Sequence, residues 1–314
     1  MAMTLAMQDN YLGTAIDFAG PPSEPALLAP DSIQWRVYKN PIALGIGGIA
    51  AVLLEFAEPR IRSGVWDHST YKVDPIGRSR RTGLVAMLAC YGPASSAKDV
   101  IGKVNRMHGK VKGATPAGQT YRALDPVLLD WVAATASYGF LMAYDRFVHP
   151  LSDADKDRFM RDGDAIGREF GALHTPPTVG AFMAMLDRLE PSFEPHPILF
   201  EFLDIIQSGR AAPGVPRFLH RAIARASVSL LPAHIRQRLE LGSAFDLTRL
   251  DRMLLGTAGR LADRRVDRKS PPSLASVRLG LPHDFLYRSR GEQQRLLAAR
   301  GQPRHAVQSR LAPN

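Results

Sequence analysis

The 314-residue sequence predicts an all-α fold, built as a single large helical domain. Three observations carry this. Stretches that alternate apolar and polar residues are few, and β-branched residues do not cluster, so strand signals are poor. Helix starts recur with one chemistry: Asn40-Pro41, Asp74-Pro75 and Asp125-Pro126 each place a capping side chain before a proline at the first helical position. Apolar residues make up 45% of the chain, enough for a sizeable core.

The elements follow in order. Residues 1–31, with PPSEP in the middle, read as an irregular N-terminal arm. Asn40 opens PIALGIGGIAAVLLEFA, the most apolar run. Its 17 residues are at the short limit for a bilayer span, and its three glycines and Glu55 favour a buried core helix. Asp74 opens DPIGRSRRTGLVAMLAC, KDVIGKVNRMH follows, and Asp125 opens DPVLLDWVAATASYGF. Ser152 with Asp155 has the form of a cap with early acids, and Thr178 caps VGAFMAMLDRLE, which ends at Pro191. PILFEFLDIIQ, PRFLHRAIARASVSLL and PAHIRQRLEL continue the helical pattern. Residues 268–283 read as a proline-containing connector and 284–301 as a last basic helix. The reading is thus about ten to twelve helices and no sheet. The division is an arm at 1–31, a helical domain at 32–265 and a basic C-terminal extension at 266–314.

Charge and cysteine narrow the function classes. The net charge is +10, but Gly259 to Asn314 holds twelve Lys or Arg against four Asp or Glu. The rest of the chain is close to neutral, so the basic character says little about the core's chemistry. The basic end reads as a solvated tail, or as a peripheral contact for an anionic membrane; no specific nucleic-acid partner is expected. Cys90 is the one cysteine, which excludes an intrachain disulfide and a cysteine-based zinc cage. The opening MAMTLAMQDNYLG lacks a basic n-region and an apolar h-region, so a cytoplasmic location is expected. There is no Walker loop, no Gly-x-Gly-x-x-Gly after a strand, no Gly-x-Ser-x-Gly elbow and no His-Glu-x-x-His.

The chemistry concentrates between Gly64 and Gly113. If a helix starts at Asp74, Arg78, Arg81 and Thr82 lie at i, i+3 and i+4 and share one face. Two guanidinia and a hydroxyl can clamp carboxylates such as haem propionates, or a bound oxygen species; the plain alternative is a solvated first turn. His108 lies on the apolar stripe of Val104 and Val111. An imidazole there is either a hydrogen-bonded core residue or a haem-iron ligand. His68, in GVWDHST, either lines the distal side of such a site or ties down a turn.

In order, AAVLLEFAEP, GVWDHS, DPIGRSRRT, NRMHGKVKG, YRALDPVLLDWVAAT, AYDRFVHPLS and LLPAHIRQRLEL resemble the family of the latex-clearing proteins and the oxygenases of mycophenolic acid biosynthesis. The resemblance covers roughly residues 42–265. It implies a globin-like helical bundle around a haem b pocket, with dioxygen as co-substrate. The substrate it implies is small and apolar, isoprenoid or lipid-like, cleaved or oxygenated at a double bond. Arg78, Arg81 and Thr82 match the family's Arg-x-x-Lys-Thr segment, and His108 is the nearest match to the proximal iron ligand. The roles implied are iron ligation by His108, propionate binding or dioxygen polarisation by Arg78 and Arg81, and a hydrogen bond from Thr82. Two positions depart. Arg81 replaces a lysine, and a guanidinium has no lone pair to give to iron. Ala133 stands where relatives often carry histidine, which keeps a non-catalytic haem- or lipid-binding protein as the alternative.

Overall fold

In the computed structural model, which describes residues 10–210 and 215–300, the chain opens with two short strands, β1 (Asn10–Tyr11) and β2 (Thr14–Ala15), paired antiparallel. Then come α1 (Ile33–Tyr38), α2 (Pro41–Ala57), α3 (Pro59–His68), a 3-10 turn at Thr70–Lys72, α4 (Pro75–Tyr91) and α5 (Ala94–His108). A hairpin of β3 (Lys112–Ala114) and β4 (Thr120–Arg122) leads into α6 (Pro126–Phe147), α7 (Asp153–Glu169), α8 (Val179–Leu189) and α9 (Pro197–Gln207). The chain continues through α10 (Arg217–Ser229), α11 (Ala233–Arg238), α12 (Arg249–Arg264), α13 (Pro271–Arg278) and α14 (Arg290–Ala299). The fold is all-α and a single domain, as expected. The two small ladders are the departure, for no strand was anticipated.

The expected helix starts are capped as their chemistry requires. Asn40 Oδ1 accepts from the Ile42 and Ala43 amides at 3.1 Å, Asp74 Oδ1 from Gly77 at 2.8 Å, and Asp125 Oδ1 from Val127 at 2.9 Å. Each satisfies amides that the helix itself leaves free.

The core is organised by α2 lying along α6. Their backbones meet at Gly47 and Gly139: a Cβ on Gly47 would sit 2.5 Å from the Gly139 carbonyl oxygen, so neither position admits a side chain. Around this seam Ile46, Leu53, Phe56, Trp131, Tyr138, Phe147 and Phe182 are buried. The Tyr138 and Phe182 rings stack at 4.2 Å, and Phe182 and Trp131 at 5.8 Å. The 22 residues of α6 are long and apolar enough to cross a bilayer, but 56% of its apolar window is buried inside the protein. At Glu58-Pro59 the chain bends by 104° from α2 into α3, which carries the next segments across the end of the α2–α6 pair.

A second cluster joins the chain's two ends. Ile16, Phe18 and Leu28 of the arm pack with Trp35, Leu88, Tyr91 and Val100, and with Ala275, Leu279, Phe285 and Leu297. Buried Arg278 ties them together, donating to the carbonyls of Glu24, Phe18 and Tyr91 at 2.8 Å each. The stretch read as a connector thus holds α13 and a core contribution. Its prolines suggest a connector, but the N-terminal arm brings Ile16, Phe18 and Leu28 to cover Ala275, Leu279 and Leu281. Residues 301–314 lie outside the described residues.

Candidate functional site

The site is centred on Arg78, one turn into α4. The Asp74 cap and Pro75 fix where the helix begins, and hence which way Arg78 faces. Its guanidinium makes no hydrogen bond and no ion pair among the described residues, and burial holds its pKa below the usual arginine range. Its charge acts on groups from three other segments: Glu55 at the end of α2, Tyr71 in the 3-10 turn and His108 at the end of α5.

Glu55 lies in the last turn of α2, on the seam with α6. Thr135 of α6 donates its hydroxyl to Glu55 Oε1 at 3.4 Å and shares it with the Val132 carbonyl at 3.0 Å. Burial pushes the Glu55 carboxyl up to about 7, against the opposing pull of Arg78 and of the Thr135 hydroxyl. At neutral pH this carboxyl is therefore close to half protonated. Burial also raises the Tyr71 phenol, a nearby Glu201 adds to the rise, and Arg78 opposes it.

His108 is the last residue of α5 and is half-buried. Burial, and then the charge of Arg78, push its pKa below the ordinary histidine value, so the ring is neutral at pH 7. Its Nδ1 is buried without a hydrogen-bond partner, as are Asn105 Oδ1 one turn earlier and Tyr71 Oη. Asn105 uses its amide instead, donating to the Glu169 carbonyl at 2.9 Å. Buried polar atoms without partners are few in a folded chain. Two of them, His108 Nδ1 and Tyr71 Oη, belong to groups that feel the charge of one guanidinium without a hydrogen bond or ion pair. No cluster of three or more His, Cys, Asp or Glu exists among the described residues, so a metal held wholly by protein side chains has no support here.

The remaining predicted residues lie further out. Arg81 turns back on its own helix start, donating to Asp74 Oδ2 at 3.3 Å and to Thr70 Oγ1 at 2.7 Å. Thr82 is exposed and its hydroxyl donates to the Arg78 carbonyl at 3.1 Å. His68 is exposed at the end of α3, its ring edge-on to Tyr121 at 6.1 Å. The structure brings together Arg78 and His108; Arg81 acts on Arg78 by its charge while bonded to Asp74 and Thr70, and Thr82 and His68 are exposed. Sequence reasoning missed Glu55, Tyr71 and Thr135 as site residues. The available signal was Glu55 itself, a lone carboxylate inside AAVLLEFA. Ala133 faces α7, its Cβ 3.6 Å from where a Cβ on Gly167 would stand, whereas Thr135 faces Glu55.

A cavity of about 1010 Å³ opens beside Tyr71, lined also by Val73, Pro75, His196, Phe200 and Glu201. That is the size of a small-molecule site. Tyr71 belongs to both the cavity wall and the Arg78 cluster, so the two adjoin at that residue. Neither this cavity nor a second one of about 500 Å³ has His108 in its lining.

Residues 35–263 match the family described as "ER-bound oxygenase mpaB/B'/Rubber oxygenase, catalytic domain". Two uncharacterised mycobacterial proteins, from Mycobacterium bovis and Mycobacterium tuberculosis, are each 30% identical over 123 residues, 38% of this chain and 48% of theirs. The chain thus spans about half the length of the curated relatives it matches. No solved structure matches. The matched stretch runs from within α1 to the last turn of α12 and contains Glu55, Tyr71, Arg78, His108 and Thr135. The chain therefore belongs to the family of mpaB and rubber oxygenase catalytic domains.

Proposed function

We propose that this chain is a haem b-dependent oxygenase that uses dioxygen on a small apolar substrate, isoprenoid or lipid-like, at a double bond. The observation that carries this reading is the pairing of a neutral His108, whose buried Nδ1 lacks a partner, with an Arg78 guanidinium free of direct bonds. Haem needs one axial nitrogen, a cation for its propionates and an apolar slot for its ring, the macrocycle bringing its own four donors. His108 and Arg78 fit the first two needs; the cavity of about 1010 Å³ meets the cluster only at Tyr71 and is not lined by His108. His108 would hold the iron and Arg78 a propionate. Bound haem supplies the redox centre for oxygen chemistry, which no side chain here provides.

The chain's own residues do the rest. Arg78 disfavours a second proton on His108, which keeps the ring able to donate a lone pair. Glu55, with a pKa of about 7, holds or releases a proton at its carboxyl oxygens near neutrality. Thr135 fixes that carboxyl's orientation. Tyr71 joins the cluster to the wall of the open cavity, where an apolar substrate would lie. Arg81 and Thr82 act at a distance in this reading, since their polar groups are already engaged with Asp74, Thr70 and the Arg78 carbonyl. The alternative is a helical protein that binds haem or lipid without turnover, supported by Ala133 standing where relatives often carry histidine.

The test is a visible spectrum of the protein expressed with haem precursor, alone and as His108→Ala and Arg81→Lys. A Soret band is expected that is lost or strongly shifted in the first variant and unchanged in the second. Colourless wild-type protein would sink the haem assignment. A coloured His108→Ala protein with the native spectrum would sink the ligand assignment. A six-coordinate spectrum in Arg81→Lys would put residue 81 at the iron after all.

A further inference from the structure

The second cavity, of about 500 Å³, lies outside the site just described. It is lined by Arg146 of α6, Leu247, and Arg249, Arg252, Met253, Gly256 and Arg260 on or beside α12. Four guanidinia converge there and the lining holds no carboxylate. None of the four forms an ion pair among the described residues. Arg146 bonds only to Ser229, at 2.7 Å to its carbonyl and 3.4 Å to its hydroxyl, and burial and the charge of Arg252 both disfavour its own charge. The two acids of α12 are committed elsewhere. Asp251 is buried, caps Thr248 and pairs with Arg225 at 3.3 Å; Asp263 pairs with Lys39 at 2.7 Å. A cluster of like charges with no built-in counter-ion is an incomplete anion site.

Beside the groove α12 shows an apolar stripe to solvent. Leu250 is 59% exposed, Met253 59% and Leu261 65%, and their spacing puts them with Thr257 on one face. A helix of a soluble protein turns such a face inward. After α12 the chain adds Arg265, Arg268 and Lys269, all exposed. The arginines flank the stripe on one side, and no exposed carboxylate interrupts the face between residues 249 and 265.

We infer that α12 is a docking surface for an anionic phospholipid bilayer, with Arg146, Arg249, Arg252 and Arg260 gripping lipid phosphates while Leu250, Met253 and Leu261 enter the acyl boundary. Bidentate guanidinium–phosphate bonding accounts for the groove. Shallow insertion of aliphatic side chains beside a basic flank accounts for the stripe. A soluble phosphate would use the groove and leave the stripe unexplained. A single-stranded nucleic acid would call for aromatic side chains to stack on, and the exposed face of α12 has none. The basic stretch that begins at Gly259 overlaps this surface at Arg260, Arg265, Arg268 and Lys269.

The test is flotation of the full chain with phosphatidylcholine vesicles, with and without phosphatidylserine. Binding is expected only to the vesicles containing phosphatidylserine. Arg249→Ser/Arg252→Ser and, separately, Leu250→Ser/Met253→Ser/Leu261→Ser are each expected to weaken it at least tenfold, with helical content unchanged. A chain ending at residue 300 is expected to bind as the full chain does. Equal binding to both vesicle types would overturn the proposal. So would full binding by the triple aliphatic variant, which would mark a plain anion site. Loss of binding on removing residues 301–314 would move the contact to the tail. Displacement from vesicles by inorganic phosphate, or tighter capture by an oligonucleotide, would also refute it.

Discussion

The sharpest test of the site's electrostatics is Glu55→Gln, read as stability against pH. The Glu55 carboxyl has a pKa of about 7 in the folded chain and an ordinary value of 4.5 when exposed, a gap of about 2.5 pH units. Because the folded value is raised, protonation favours folding. This contribution is fully present below pH 4.5 and is lost as the pH rises to 7. One unit is worth about 1.4 kcal/mol, so the ionised carboxylate costs the fold up to ~3 kcal/mol at pH 8 and below ~1 kcal/mol at pH 5. Glutamine carries the same shape, can accept from Thr135 and does not ionise. The stability of Glu55→Gln relative to wild type should therefore rise by about 2 kcal/mol from pH 5 to pH 8. Urea denaturation of both proteins at a series of pH values measures it, with groups common to both cancelling in the difference. A difference that stays flat across this range would show that Glu55 is solvated and outside any low-dielectric cluster.

Arg278→Met should cost about 3 kcal/mol or more, because the carbonyls of Phe18, Glu24 and Tyr91 lose a shared charged donor in a buried place. A thermal midpoint within a degree of wild type would show that the two chain ends are not held this way. Binding of an anionic group at Arg78 should draw a proton onto the protein at pH 7, since it weakens the hold of Arg78 on the Glu55 carboxylate. Haem titration in weakly buffered solution with a pH indicator reads this uptake. Uptake that persists undiminished in Glu55→Gln would assign the proton elsewhere.

Much of the fold was legible because its signals are local. Asn40, Asp74 and Asp125 cap the residues that follow them whatever the rest of the chain does, so the starts of α2, α4 and α6 could be read directly. The C-terminal segment was less legible because two signals competed. Basic residues there suggested solvent, while Leu279, Phe285 and Leu297, widely spaced and broken by prolines, gave no periodic stripe. They become core only because the N-terminal arm brings Ile16, Phe18 and Leu28 to meet them. The β3–β4 hairpin escaped for a simpler reason: strands of three residues carry no alternation to detect.

At the site, spacing told which residues share a face but not which face turns inward. Arg78, Arg81 and Thr82 do share one side of α4, yet Asp74 holds Arg81 near the helix start and only Arg78 reaches the interior cluster. The partnership of Arg78 with Glu55 had no local signature at all. It exists because the 104° bend after α2 folds α3 and α4 back across the end of the α2–α6 seam. The separation that results matters chemically. A direct ion pair would pull the Glu55 carboxyl below its ordinary value and occupy the guanidinium. Held near each other but not bonded, the carboxyl stays poised at neutrality and the guanidinium keeps its donors free. One bend in the backbone thus gives the chain both a neutral-pH proton holder and an open anion clamp, and closing that gap by either residue would forfeit both.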